Sequence, residues 1–410
     1  MAEIRLPVVT SRSELLGLLT EACELEHGLL CSYLYSAFTI KQDLAEGDLT
    51  WQQLQMVRKW AAQIYFVASQ EMLHLSQAWN LLAAIGGTPY YLRPNFPQGS
   101  KYYPLNLPLK LERFGVSSIR RFVFYERPLG VAPDMYFAKE LDLAEADGSL
   151  PSYRTVGELY SIILSGFMNI PEAQLFIGAP ERQVGRELVD FPTIVKVVDR
   201  ATAKAAIDEI TEQGEGLATD RQDSHFGMFK NILHDLEVER AKSEEVGLVF
   251  EPARACLENP VARYRSDYGA PKGTLIEDPY TQEVAELFDS IYGLMLRTLA
   301  YVFSNSTGDM TTLIDFSRLS IIVMPTVLKP LGEALTLMNA GGRHAGKTAG
   351  PSFAMSRHVL LQADPSTARA VVRERLSELS AAAIELAARD GAPDQLVRSS
   401  ENLRSLGIGG

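Results

Sequence analysis

A carboxylate and an imidazole lie three residues apart, Glu71 and His74, in the otherwise apolar segment 67–87. At helical spacing one turn brings both side chains within reach of a common ion. Upstream, Glu26 lies on the apolar face of another predicted helix. Buried ionisable groups cost free energy unless they are paired or ligated. Because carboxylate oxygens with an imidazole nitrogen suit iron or manganese, the pattern predicts a metal site.

A structural alternative stands beside each of these residues. Most Glu-x-x-His pairs on helices are surface pairs, and it is the position of Glu26 on a second core face that favours a ligand role. His27 points away from Glu26, so we expect it to be structural. Tyr33 lies on the Glu26 face, seven residues later. It either donates a hydrogen bond to a ligand or packs in the core, and we favour packing.

Further candidates occur downstream. Glu158 lies in "TVGELYSIILSGF", although Thr155 and Glu158 also have the spacing of a capping box, which is a structural alternative. His225 precedes Phe229 by four residues and Ile232 by seven, so it faces the core of its predicted helix. It also lies in the first turn, where the positive end of the helix dipole favours the neutral, ligating imidazole.

The fourth carboxylate is expected from "EITEQGEG". Glu215 lies nearer the apolar side of the predicted helix than Glu212, and the glycines that flank it let the backbone bend toward a site. We therefore rank Glu215 above Glu212 as a ligand. The alternative is that both are solvated charges beside a loop.

Long helices must position these groups. Ser11 and Glu14 have capping-box spacing and begin a helix predicted to about Ala45, and Thr50 begins a second that ends at "GGTP", residues 86–89. The short connection makes them antiparallel neighbours. Residues 90–150 are rich in Pro and Tyr, with a short helix near Val116–Tyr125. Further helices are expected at about 155–178, 201–215, 224–237, 280–305, 311–338 and 365–389.

Composition narrows the class of protein. The 410 residues include 39 basic and 51 acidic ones, a net charge of −12, which argues against nucleic acid or an anionic membrane as partner. No apolar run reaches the length of a membrane span, and residues 1–10 hold no signal-peptide core. Three cysteines without a CxxC pair suit reduced thiols, so we expect a cytoplasmic protein.

Five motifs together resemble a known family: "LEHGLLCSYLYSAFTI", "EMLHLSQAWNLLAAIGGTP", "TVGELYSII", "EQGEG" with "SHF", and "GKTAGPSF". They are similar to the ferritin-like family typified by the iminophenyl-pyruvate dimer synthases of violacein and rebeccamycin biosynthesis. The resemblance implies a non-haem metal site, usually thought of as iron, and oxidative chemistry in bacterial specialised metabolism. The ligands it implies are Glu26, Glu71, His74, Glu158, Glu215 and His225. The synthases are far longer chains, and a second Glu-x-x-His is missing here.

The expected fold is all-α: a ferritin-like four-helix bundle over residues 1–245, with an irregular insertion at about 90–150, and a helical region over 246–410 packed on the bundle. The expected function is an O2-using oxidase or oxygenase with one or two iron ions, or manganese, acting on a small, amino-acid-derived molecule. We expect the insertion and the C-terminal helices to line the substrate pocket. The alternative is a non-catalytic iron-handling or assembly protein. A homo-oligomer stays open.

Overall fold

Two long helices begin where the sequence predicts. In the computed structural model α1 spans Arg12–Phe38 and α2 spans Trp51–Ala84. The Ser11 side chain accepts a hydrogen bond from the Glu14 N–H, and Thr50 and Gln53 form a reciprocal capping box. The structure describes residues 7–98, 108–128, 130–131, 153–214, 222–264, 273–306, 308–355 and 359–407.

The predicted end of α1 near Ala45 is wrong, because the helix ends at Phe38. Beyond it the chain bonds to a distant segment: the Lys41 N–H donates to the carbonyl of Pro252, and the Arg254 N–H donates to the carbonyl of Thr39. The Thr39 hydroxyl also accepts from the Phe114 N–H. These long-range bonds replace the helical bonds that residues 39–45 would otherwise make. Because their partners lie far away in the sequence, the residues around position 39 do not predict them.

The remaining helices confirm the predicted all-α class. They are α3 (Val116–Tyr125), α4 (Val156–Asn169), α5 (Glu172–Leu175), α6 (Arg200–Gly214), α7 (His225–Glu245), α8 (Pro279–Ser304), α9 (Met310–Val323), α10 (Lys329–Leu335), α11 (Pro365–Ala387) and α12 (Asp394–Ser405). Among the described residues the strands are two short parallel ones, β1 (Pro260–Val261) and β2 (Thr274–Leu275). The helix α12 was not predicted.

Prolines account for two further differences from the predicted boundaries. The helix expected over 155–178 breaks at Ile170, which is extended before Pro171, because a proline disfavours helical geometry in the residue preceding it. The helix expected over 311–338 is interrupted by a π-helical turn, Met324–Leu328, that contains Pro325. Proline lacks the N–H that a regular helix needs, so the hydrogen-bond ladder is locally rearranged.

The antiparallel pair α1 and α2 forms the centre of the molecule. Helices α4, α6 and α7 pack against this pair, and α3 packs against α7. Helices α8 to α12 pack on one another, and α10 contacts α1. One continuous apolar core runs through both groups. The segment Met310–Leu335 is apolar and long enough to cross a membrane by composition, yet half of its most apolar stretch is buried here, as in the core helix of a globular fold.

An irregular segment, residues 183–197, is attached to α2 by buried amide side chains. Asn80 donates to the carbonyls of Val184 and Val195 and accepts from the Val184 N–H. Gln77 both donates to and accepts from the backbone of Val195. These side chains satisfy buried backbone groups that lack a helix or a sheet to pair with.

Replacing Asn80 with alanine is expected to lower the free energy of unfolding by roughly 3 kcal/mol, because the buried carbonyl and N–H of Val184 lose their partner and the Val195 carbonyl keeps only Gln77. Urea unfolding followed by circular dichroism measures the change. Gln52→Ala, on the exposed face of the same helix, is the control and should stay within about 0.5 kcal/mol of wild type. Equal stabilities of the two variants would contradict the role given to Asn80.

Candidate metal centre

Three of the predicted ligands meet between α1 and α2. The Nδ1 atom of His74 lies 3.2 Å from Oε2 of Glu71 and 3.6 Å from Oε2 of Glu26. Each of the three residues is at most 2% exposed. Potential ligand atoms of all three lie within 4.8 Å of one another. The structure therefore brings Glu26, Glu71 and His74 to one point, as their spacing predicts.

A second group shares Glu71. Nδ1 of His225 lies 2.9 Å from Oε1 of Glu71 and 3.6 Å from Oε2 of Glu126. Glu71 thus turns one carboxylate oxygen toward His74 and the other toward His225. Each group holds two carboxylates and one imidazole, and Glu71 belongs to both. That is the arrangement of a carboxylate able to bridge two ions.

The residue that the sequence reasoning missed is Glu126. It follows the last residue of α3, and it is 3% exposed. It lies four residues after Phe122 and seven after Ile119, both buried, so its position on an apolar helical face is the same signal that identified Glu26. The packing of α3 against α7 carries Glu126 to His225.

Tyr33 contacts this second group directly. Its hydroxyl donates a hydrogen bond to Oε1 of Glu126. Its ring also packs against Phe122 at 4.6 Å and Phe229 at 5.0 Å between centroids. Both alternatives considered for Tyr33 therefore hold at once. On the other group, the hydroxyl of Tyr160 donates to Oε1 of Glu26 at 2.6 Å, so each outer carboxylate is oriented by a buried tyrosine.

The Nε2 atom of each histidine faces the side-chain amide of a glutamine. Nε2 of His74 lies 3.0 Å from Oε1 of Gln213, and Nε2 of His225 lies 3.1 Å from Oε1 of Gln70. The amide nitrogen of Gln213 donates to Glu209, which fixes the orientation of that amide. A ring nitrogen facing an amide oxygen donates a hydrogen to it, so Nδ1 is the nitrogen that faces the carboxylates: it donates to them while the imidazole is protonated, and it offers a lone pair once that hydrogen is lost.

The shared burial shifts the acid–base equilibria strongly. Burial, together with the charge of Glu71, raises the pKa of Glu26 to about 8. Burial also disfavours the ionised form of Glu71, but His225 and His74 outweigh it and hold the Glu71 pKa well below its ordinary value. Burial opposes the charged imidazole of His225, yet Glu71 and Glu126 raise its pKa to about 9. Glu26 and His225 therefore hold a proton to a higher pH than they would in water.

The groups present fit a divalent cation. Oε1 of Glu71 and Nδ1 of His225 face each other, but both are buried without a hydrogen-bond partner among the described residues. A buried donor or acceptor without a partner is costly, and an ion ligated by both atoms would remove that cost. A cavity of about 10 Å³ lies against Glu26, Glu71, His74 and Glu126. This volume is close to that of one water-sized sphere.

One predicted ligand, Glu158, lies outside both ligand groups. Glu158 caps its own helix: the Thr155 hydroxyl accepts from the Glu158 N–H, and the Glu158 carboxylate accepts from the Arg154 N–H. These contacts are those of a helix start, although Oε1 of Glu158 is buried without a hydrogen-bond partner among the described residues, and α4 also contributes Tyr160 to the centre. Glu215 lies outside the described residues. The end of α6 does reach the centre, since a Cβ on Gly214 would lie 3.5 Å from Glu126.

Comparisons with known proteins point to one family. The sequence model of the family described as Ferritin-like matches residues 19–234, more than half of the chain. A dichlorochromopyrrolate synthase of Lentzea aerocolonigenes is 27% identical over 426 residues, covering 96% of this chain and 41% of that protein. A 2-imino-3-(indol-3-yl)propanoate dimerase of Chromobacterium violaceum is 26% identical, covering 84% of this chain and 34% of that protein.

A crystal structure of a ferritin-like protein from Caulobacter vibrioides superposes with a TM-score of 0.44 at 19% identity, covering 77% of this chain and 96% of that one. The chain spans only about two-fifths of the length of the first curated relative, and about a third of the second. The predicted resemblance to the dimer-synthase family is confirmed.

Substituting the two kinds of carboxylate should change the metal content differently. Glu71→Gln is expected to lower the bound metal at both groups, because Glu71 belongs to each. Glu126→Gln is expected to lose one ion per chain and keep the other. Elemental analysis of anaerobically prepared protein measures both.

Glu158→Gln is the matched control for this series, since the same chemical change removes a capping carboxylate outside both groups. It is expected to keep full metal content. Loss of metal in Glu158→Gln together with retention in Glu126→Gln would reverse the assignment of these two residues.

Binding of a metal should release protons. Without metal, His225 keeps a proton up to a pH of about 9 and Glu26 up to about 8, so an ion that ligates them displaces protons. The apparent affinity for Mn²⁺ is therefore expected to rise with pH between 6 and 8, by roughly tenfold per unit for each proton displaced. Titration calorimetry in two buffers of different ionisation enthalpy counts the protons. Binding without proton release would contradict the shifted pKa values.

Proposed function

This chain belongs to the ferritin-like family, and from that premise we propose that it is a metal-dependent oxidoreductase that uses O2 to transform a small organic molecule in bacterial specialised metabolism. The observation that carries the proposal is the pair of ligand groups joined through Glu71. Iron is the favoured metal and manganese the alternative, because two imidazoles among three carboxylates suit either ion.

Some residues at such a centre would ligate the metal, and others would orient the ligands. Glu26, Glu71 and His74 would hold one ion, and Glu71, Glu126 and His225 would hold the other. Iron bound there would supply one-electron redox chemistry toward O2. Tyr160 and Tyr33 keep Glu26 and Glu126 from rotating away, and the amides of Gln213 and Gln70 keep each Nδ1 facing inward.

Burial of the centre serves the same chemistry. Glu26, Glu71, His74, Glu126 and His225 are all at most 3% exposed. A dry environment strengthens each electrostatic contact and keeps bulk water from the reacting atoms.

The names of the relatives support the kind of pathway. One is a synthase and the other a dimerase, and the latter's name describes an imine-bearing indolyl acid as what is dimerised. Those proteins are more than twice as long as this chain, so their reactions are not assigned to it directly. Their substrates are the first compounds to test, both for oxidative joining and for oxygen insertion. A non-catalytic iron-handling or assembly role is the competing proposal.

O2 uptake separates the two proposals. Protein loaded with ferrous iron is expected to consume O2 at least tenfold faster with its cognate substrate than without, because substrate binding commonly completes such a site. An oxygen electrode follows uptake over a panel of aromatic amino acids and the keto and imino acids derived from them. Glu71→Gln serves as the inactive control. Uptake of many ferrous ions per chain with formation of an oxide core would instead establish an iron store.

A further inference from the structure

A cavity of about 510 Å³ lies between the α1–α2 pair and the C-terminal helices. Its volume is within the range of pockets that hold small molecules. The walls come from α1, α2, α8, the region Ile321–Lys329, the segment 189–191 and Phe353. Of the insertion and the C-terminal helices, only the latter contribute described residues to this lining.

This cavity is distinct from the candidate metal centre. The two share no lining residue, although their residues are neighbours in sequence: His27 follows Glu26, Met72 follows Glu71, and Leu75 follows His74. Successive residues of a helix point about 100° apart, so the same two helices present the ligands on one face and the cavity on another.

We propose that this cavity is a binding site for an uncharged, largely apolar, ring-containing small molecule. The walls are largely apolar, and aromatic rings and flexible thioethers contribute to them, among them those of Phe38, Tyr65, Met72, Phe191, Phe288, Met295, Met324 and Phe353. Rings of this kind stack on planar ligands, and methionines adapt to ligand shape. The proposal stands independently of the metal assigned to the other face.

The wall facing α1 and α2 departs from regular helix at the cavity. Met324, Pro325 and Leu328 all lie in the π-helical turn and all line the cavity. Such turns widen a helix locally and occur often at functional sites. A regular α-helix through Pro325 would place these side chains in a different register, so the irregularity shapes this wall.

One end of the cavity carries buried polar groups that are already connected. Nδ1 of His27 lies 2.7 Å from the carbonyl oxygen of Tyr91 and carries the hydrogen of that bond. His27 Nε2 therefore accepts from the hydroxyl of Tyr292, whose oxygen lies 3.2 Å from the sulfur of Cys31. The ligand thus meets neutral hydrogen-bonding groups at this end.

Two cationic groups near the cavity have partners within the protein, and the carboxylate in its lining, Asp190, is exposed and disfavours an anionic ligand. The guanidinium of Arg93 contacts Cys31 and Phe353 from behind the lining, and it donates to the carbonyl oxygens of Phe353 at 2.7 Å and Pro94 at 3.0 Å. Lys329 at the wall pairs with Glu333 at 2.7 Å. An ionic ligand would lose its hydration against an apolar wall, whereas an uncharged one would not.

Fluorescence titration with the neutral dye N-phenyl-1-naphthylamine tests the proposal on the full chain as purified. Saturable binding at one site per chain is expected. Leu34→Trp places a larger ring inside the cavity and is expected to weaken the dye at least tenfold. Leu18→Trp, the same change on the opposite face of α1, should stay within about twofold of wild type. Leu299→Trp, on the facing helix α8, repeats the test should Leu34→Trp fail to fold.

Two further measurements define the result. Glu71→Gln is expected to bind the dye as wild type does, which separates this site from the metal centre. The sulfonated, anionic dye 1-anilinonaphthalene-8-sulfonate is expected to bind at least tenfold more weakly than the neutral one. Wild-type affinity in folded Leu34→Trp and Leu299→Trp, or tighter binding of the anionic dye, would overturn the proposal.

Discussion

Three carboxylates and two imidazoles are gathered inside an apolar helical bundle, and the cost of removing those charges from water governs the rest of the structure. Isolated charges in such surroundings would be strongly destabilising. The molecule limits the cost by placing each charge against an opposite one, with Glu71 between His74 and His225. Such pairing tolerates little displacement, so the supporting elements must be fixed to within a fraction of a hydrogen-bond length.

That requirement explains the polar groups around the centre. Tyr33 and Tyr160 hold the outer carboxylates, and Gln70 and Gln213 hold the outer nitrogens of the imidazoles. The tyrosines are themselves fixed by packing, as the Tyr33 ring is against Phe122 and Phe229. The same packing that excludes water from the site therefore determines the orientation of its ligands.

Helices α1 and α2 have a double role because a helix has more than one buried face. One face of the pair carries the ligand groups, and another carries the large cavity toward α8, α9 and α10. Both helices are consequently buried along most of their length. Irregular segments complete the cavity wall, and the amides of Gln77 and Asn80 attach one of them, residues 183–197, to α2.

The sequence by itself determined the all-α class, the beginnings of α1 and α2, and the meeting of Glu26, Glu71 and His74. These features depend on helical periodicity and capping, which act over a few residues. Tertiary structure decided the rest: the end of α1 at Phe38, the inclusion of Glu126 in the second group, and the capping contacts of Glu158. The Glu126 carboxylate reaches His225 across 99 positions of chain only because α3 packs against α7. Periodicity shows which face of a helix is buried, but it does not show which other helix that face meets, because that choice depends on packing between segments remote in sequence.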